Sequence, residues 1–149
     1  MGNLQGLIDE FRKIQPKFSR FYARMLDSAN LTLPQYALLS ELTQVAPKPM
    51  TMTAISRKLY ISKPAVTSLV DRLEKQKFIK RIDHPKDRRI SLLELQAPGK
   101  KVVTHMQGKI LKVILSAVKP FSDKERQTIE KFYSSISKSI DETLIGPKK

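Results

Sequence analysis

Lys86, Arg88 and Arg89 crowd into the stretch DHPKDRRIS (83–91), between apolar runs holding Phe78, Ile79 and Ile82 on one side and Ile90, Leu92, Leu93 and Leu95 on the other. Three cations at a chain reversal can neutralise phosphates. They can also reach a DNA minor groove, where narrow A·T tracts concentrate negative potential and attract an inserted Arg. Asp87 repels phosphate and is odd in that role. Its carboxylate can instead pair with the forked donors of Arg89 and brace the loop. The plainer alternative is an exposed ion pair worth under about 1 kcal/mol.

A second polar set lies upstream. Pro64, Thr67, Ser68, Asp71 and Lys75 fall on one side of a 3.6-residue wheel, flanked by Lys63 and Arg72. An α-helix fits the major groove of B-DNA, and small residues such as Pro64, Thr67 and Ser68 let it approach base edges closely. Thr67 can offer its methyl to a thymine methyl. Lys63, Arg72 and Lys75 suit phosphates or guanine edges, and a helix N-terminus at Ser62 favours a phosphate.

Composition supports an anionic partner. Lys and Arg number 28 against 14 acids, a net charge of +14. Between residues 48 and 101 stand fourteen Lys and Arg and five Asp and Glu, so +9 of that charge sits in about a third of the chain. Such concentration is the electrostatic footprint of nucleic-acid binding. Other chemistries find little support. Cysteine is absent, which removes disulfides, thiolate metal sites and thiol redox sensing. The histidines are His84, a surface residue able to face phosphate when protonated, and His105, alone on its helix, so no metal site is expected. There is no Gly-rich phosphate loop, no nucleophile with a His-carboxylate partner and no carboxylate pair in an apolar setting. Neither catalysis nor a cofactor is therefore expected. The opening MGNLQG does not read as a secretory signal, and Gly6 stands where a myristoylation motif needs Ser or Thr. No apolar run approaches the length of a membrane span. A cytoplasmic, nucleoid-associated protein is expected, without membrane contact.

The elements that must position these residues are legible from periodicity. Leu4, Leu7, Ile8, Phe11, Ile14, Phe18, Phe21, Met25 and Leu26 mark a first helix, with a kink or break expected near Gln15 because of Pro16. A second helix runs from Pro34 to Val45 and stops at APKPM. Thr51 or Thr53 can cap a short helix carrying Ile55 and Leu59, and Ser62 a longer one ending near Gln76. Two helices joined by a tight turn, the second longer, make a helix-turn-helix. FIKRI and ISLLEL then read as a two-stranded ribbon around an extended loop. Pro98 and Gly99 introduce a helix that Pro120 ends. The SDKE capping box at Ser122 opens a last one, and the GPKK tail is expected to fray.

With both halves in place, ISKPAVTSLVDRLEKQKFIKR and DHPKDRRISLLELQAPG resemble the recognition helix and wing of the MarR family of winged-helix transcription regulators, and FSDKERQTIEKFYSSI resembles its last dimerisation helix. The resemblance spans nearly the whole chain. It implies a mostly α fold with a small β-ribbon, an α+β winged helix-turn-helix, assembled as an interlocked helical homodimer. Residues 33–97 would form the DNA-binding domain, and 1–32 with 98–149 the dimerisation region. The chain would be a sequence-specific repressor on an inverted-repeat operator in double-stranded DNA. Its recognition helix, about 62–76, would enter the major groove, and its wing, 83–91, the minor groove. Release by a small aromatic ligand is implied too. Phe21, Met25 and Tyr36 are possible pocket walls, although core packing is their plainer role. The DNA-binding set is Ser62, Lys63, Pro64, Thr67, Ser68, Arg72, Lys75, Lys86, Arg88 and Arg89, with Asp87 and Arg89 as the wing brace. Lys77 stands where the family usually has Gly, so the recognition helix is expected to end without a left-handed cap. Ala54 replaces a common acidic residue, leaving Thr51 no capping-box partner. A winged helix that contacts only protein would want an exposed apolar patch on that helix, which is instead polar and basic.

Overall fold

A computed structural model describes residues 4–146. The elements are α1 (Leu4–Ala29), α2 (Leu33–Val45), β1 (Met50–Thr51), α3 (Met52–Leu59), α4 (Lys63–Lys75), β2 (Ile79–His84), β3 (Asp87–Leu95), α5 (Ala97–Val118) and α6 (Asp123–Ile145). This is the mostly α winged helix-turn-helix that the sequence implies. The GPKK expectation falls mainly on 147–149, outside the described residues.

Local chemistry sets most of the boundaries. Thr32 opens α2 through a capping box with Gln35, and Ser122 opens α6 through one with Glu125. Thr51, rather than Thr53, caps α3 by accepting the Ala54 N–H at 3.0 Å. Ser62 caps α4 by accepting the Ala65 N–H at 3.3 Å. Three helices end on residues in the left-handed region: Asn30 (φ 51°), Tyr60 (φ 54°) and Lys77 (φ 59°). The expectation for Lys77 is thereby corrected. Its N–H donates to the Glu74 carbonyl (2.9 Å) and the Phe78 N–H to that of Leu73 (3.0 Å), a Schellman cap made without glycine. Of the kink or break expected near Gln15, the break is absent, since α1 runs unbroken from Leu4 to Ala29 with Pro16 inside it. Proline removes only the N–H that would reach the Arg12 carbonyl, and on this exposed stretch water can satisfy that group.

The sheet differs from a plain ribbon in two ways. β1 joins it, giving the order β1-β3-β2 with Met50 opposite Leu93. The wing is not an extended loop either: His84 pairs with Asp87, so the reversal takes only Pro85 and Lys86. The register jumps between Asp83, opposite Ser91, and His84. Arg88, Arg89 and Ile90 therefore bulge from β3 with no partners on β2.

The core lies beneath α4. Leu38, Leu39, Leu42, Ile55, Val66, Val70, Leu73, Leu93 and Val103 are essentially inaccessible, and the end of α1 joins them through Met25 and Leu26. Each such side chain contributes roughly 1.5–3 kcal/mol of transfer free energy. The long helices contrast with this. Leu7, Phe11 and Ile14 of α1, Leu111 and Leu115 of α5, and Phe132, Tyr133 and Ile140 of α6 are exposed, and α6 has no buried residue at all.

Candidate nucleic-acid interface

The candidate surface is built on α4. Val66, Val70 and Leu73 anchor one side of the helix in the core. The 3.6-residue period then turns Ser62, Lys63, Pro64, Thr67, Ser68, Arg72 and Lys75 outward, and all seven are exposed. The Ser62 hydroxyl accepts from Ala65, which leaves its own proton for an outside acceptor beside the positive end of the helix. Thr67 spends its hydroxyl on the Lys63 carbonyl at 3.1 Å, so its methyl is what remains for an apolar contact. The polar side of α4 is thus cationic, small near its start and free of large apolar groups.

The wing supplies the second part. Lys86 sits in the two-residue turn and Arg88 and Arg89 in the bulge. Asp87 accepts the Arg89 backbone N–H at 3.0 Å, its Nε at 3.1 Å and an Nη at 3.3 Å. Those Arg89 hydrogen bonds hold the Asp87 carboxyl below the ordinary carboxylate range. The Arg89 side chain nevertheless stays 91% exposed, so the pair adds little to stability while restricting where the guanidinium can point. His84 accepts the Lys86 backbone N–H on Nδ1 at 3.2 Å, which tightens the tip.

One feature escaped the sequence reading. Arg81, on β2, reaches back to α4. Its guanidinium bonds to Glu74 and, at 2.6 Å, to Asp71, while its backbone N–H donates to Glu74 at 3.2 Å. Burial works against the guanidinium charge, but the hydrogen bonds it donates to Asp71 and Glu74 outweigh it, and the Arg81 pKa is raised. The signal was present as acids three apart on one helix turn and a cation on the strand that doubles back. Three other sequence candidates lie elsewhere: Met25 belongs to the core, and Phe21 and Tyr36 pack half-buried against it. Among the described residues no cluster of His, Asp or Glu could hold a metal, and no helix is long and apolar enough to cross a membrane.

Residues 29–90, the stretch that carries this helix-turn-helix and wing, match the MarR family model. Over that stretch the chain is similar to MarR-family transcription regulators. Members of that family regulate transcription and are not enzymes. The HTH-type transcriptional regulator YhbI of Bacillus subtilis is 28% identical over 135 residues, covering 90% of this chain and 86% of YhbI. A mutant MepR from a multidrug-resistant S. aureus clinical isolate superposes with a TM-score of 0.75 at 21% identity, covering 94% of this chain and 99% of MepR. MepR has also been solved in complex with DNA, and this chain superposes on that form with a TM-score of 0.66 at 22% identity, over 85% and 97% of the two chains. NadR, solved with 4-hydroxyphenylacetate, superposes at 0.65 with 19% identity, over 93% and 94%.

Proposed function

We propose that this chain is a MarR-family regulator that binds double-stranded DNA sequence-specifically as a homodimer and represses transcription until a small aromatic ligand releases it. In this reading residues 33–97 are the DNA-binding domain, and α1, α5 and α6 supply the dimerisation region. The N-terminal half of α4 enters a major groove. The wing bulge sets Arg88 and Arg89 in the adjacent minor groove, with Asp87 bracing Arg89 and Lys86 near the backbone. The observation that carries the reading is the pairing of two cationic, exposed and rigidly supported projections, α4 and the wing, on one core. MepR, which superposes over most of the chain, is seen on DNA, and NadR on an aromatic carboxylate.

Dimerisation rests on α6. A helix from Asp123 to Ile145 with no buried residue has little to hold it in an isolated protomer. Between α6 and α1 runs an apolar groove of about 580 Å³, lined by Leu7, Phe11, Ile14, Phe18, Phe132 and Tyr133. A second copy covering these faces would bury what one chain leaves open, and a symmetric pair reads an inverted repeat with half-sites about one helical turn apart.

The test is selection of bound duplexes from a random DNA pool by the full-length protein, followed by affinity measurements over a range of salt. An inverted-repeat consensus is expected. If about 8 phosphates are contacted, log K falls against log salt with a slope near −7. No enriched sequence, or a flat salt response, would remove the reading. A ligand screen for release from the selected duplex then tests the repressor mechanism.

A further inference from the structure

Two carboxylates stand on the helix face that this reading turns toward phosphate. Asp71 and Glu74 have side chains 54% and 38% exposed, and each lowers the attraction of α4 for a polyanion. Their shared partner is Arg81. Asp71 and Glu74 lie three residues apart, hence about one turn apart on the same side of the helix. A planar guanidinium that engages both fixes a position along the helix and a rotation about it together, which a single point contact cannot do. The Arg81 backbone N–H adds a third bond to Glu74, so the strand itself is tied to the helix and not only its side chain.

The location of this tie gives it leverage. Only residues 76–78 connect α4 to β2, and Lys77 reverses the chain there in the left-handed conformation. Three residues beyond Arg81 on β2 is His84, whose pairing with Asp87 closes the wing and begins the arginine bulge. A change in the angle between α4 and β2 is therefore carried out to Arg88 and Arg89. The guanidinium is already occupied by two carboxylates, so it is not free to neutralise a phosphate.

We propose that Arg81 is a positioning residue: through Asp71 and Glu74 it sets the angle between the recognition helix and the wing so that both engage one duplex at once, without touching DNA itself. The proposal rests on the DNA-binding reading above. It also makes a counterintuitive prediction about charge. Removing the two acids makes the surface more cationic, which by electrostatics alone strengthens DNA binding. Loss of positioning instead weakens binding to the correct sequence while sparing or raising sequence-independent binding.

The experiment compares the full chain with Asp71→Asn/Glu74→Gln, Arg81→Lys and Arg81→Ala. Each is titrated against the duplex selected by the wild type and against a mixed-sequence duplex, with hydroxyl-radical footprints on the former. The near-isosteric acid variants and Arg81→Lys guard against simple unfolding, which thermal melts monitor. We expect all three to lose about tenfold or more on the selected duplex. The mixed-sequence affinity should hold or rise for the acid variant, and wing protection should fade before helix protection. The salt slope of Arg81→Lys and Arg81→Ala should match the wild type, since no phosphate contact is lost. Tighter or unchanged binding of the acid variant to the selected duplex overturns the proposal. So does a slope reduced by about one per protomer in Arg81→Ala, which marks a direct phosphate contact. If the wild type itself selects no duplex, the underlying DNA-binding reading falls, and this inference with it.

Discussion

Replacing Arg89 by Ala separates folding from binding more sharply than any other change to the wing. In the free protein its side chain is 91% exposed, and among the described residues its side chain pairs with Asp87. An exposed pair of this kind stabilises the fold by less than about 1 kcal/mol, so Tm should move by no more than about 2–4 °C at fixed protein concentration. On DNA the substitution acts twice. It deletes a groove contact, and it leaves the Asp87 carboxylate at the wing tip without the guanidinium that masks it. A lost specific contact costs roughly 1–3 kcal/mol. That is a factor of about 5 to 150 in Kd, and the unmasked carboxylate moves the expectation toward the upper end. Arg89→Lys keeps the charge but loses the fork that Asp87 grips, and should fall between wild type and Ala. Fluorescence anisotropy with the selected duplex at two or more salt concentrations reads both the affinity and the slope. The slope should shrink by about one for each protomer. An Arg89→Ala protein with normal Tm, a Kd within about twofold of wild type and an unchanged slope would refute the minor-groove assignment.

Three further outcomes test the framework around the site. Lys77→Gly should stabilise the protein by about 0.5–1 kcal/mol, because Lys77 holds φ 59° and glycine relieves that strain at a smaller unfolded-state entropy cost; a lower Tm would contradict the cap assignment. Gly99→Ala should destabilise by about 1–3 kcal/mol, since a Cβ there meets the Phe78 carbonyl oxygen at 2.4 Å and the backbone joining wing to α5 must move; chemical denaturation with an unchanged midpoint would show that the contact relaxes freely. Phe11→Asp, placed in the groove between α1 and α6, should yield a monomer by sedimentation and bind the selected duplex far more weakly, because half-sites are then bound singly; a dimer of wild-type strength would move the interface elsewhere.

How far the site could be read beforehand depended on the range of the interactions involved. Ser62 could be assigned as a cap and Lys63 through Lys75 as a polar face because capping and helical period act within four residues. The outward residues of α4 follow once Val66, Val70 and Leu73 are known to face the core. The wing was harder. Its cations and flanking apolar strands were visible, but the two-residue turn at Pro85 and Lys86, the bulge and the third strand at Met50 were not. Strand register is decided by cross-strand packing against the core, which no local pattern encodes. The Pro16 break and the uncapped end at Lys77 failed for a related reason: propensity costs of order 1–3 kcal/mol are overridden when flanking turns are already held by packing or solvent.

The sequence by itself determined where the helices begin, which face of each is apolar, and that a block of positive charge sits on a helix-turn-helix followed by a ribbon, because all of these are properties of neighbouring residues. Only the tertiary structure decided that Arg81 spans from strand to helix, that Arg88 and Arg89 project from a bulge rather than a loop, and that no residue of α6 is buried among the described residues. Those facts depend on which distant segments meet. That is settled by how the whole set of apolar faces can be buried together, and not by any one of them.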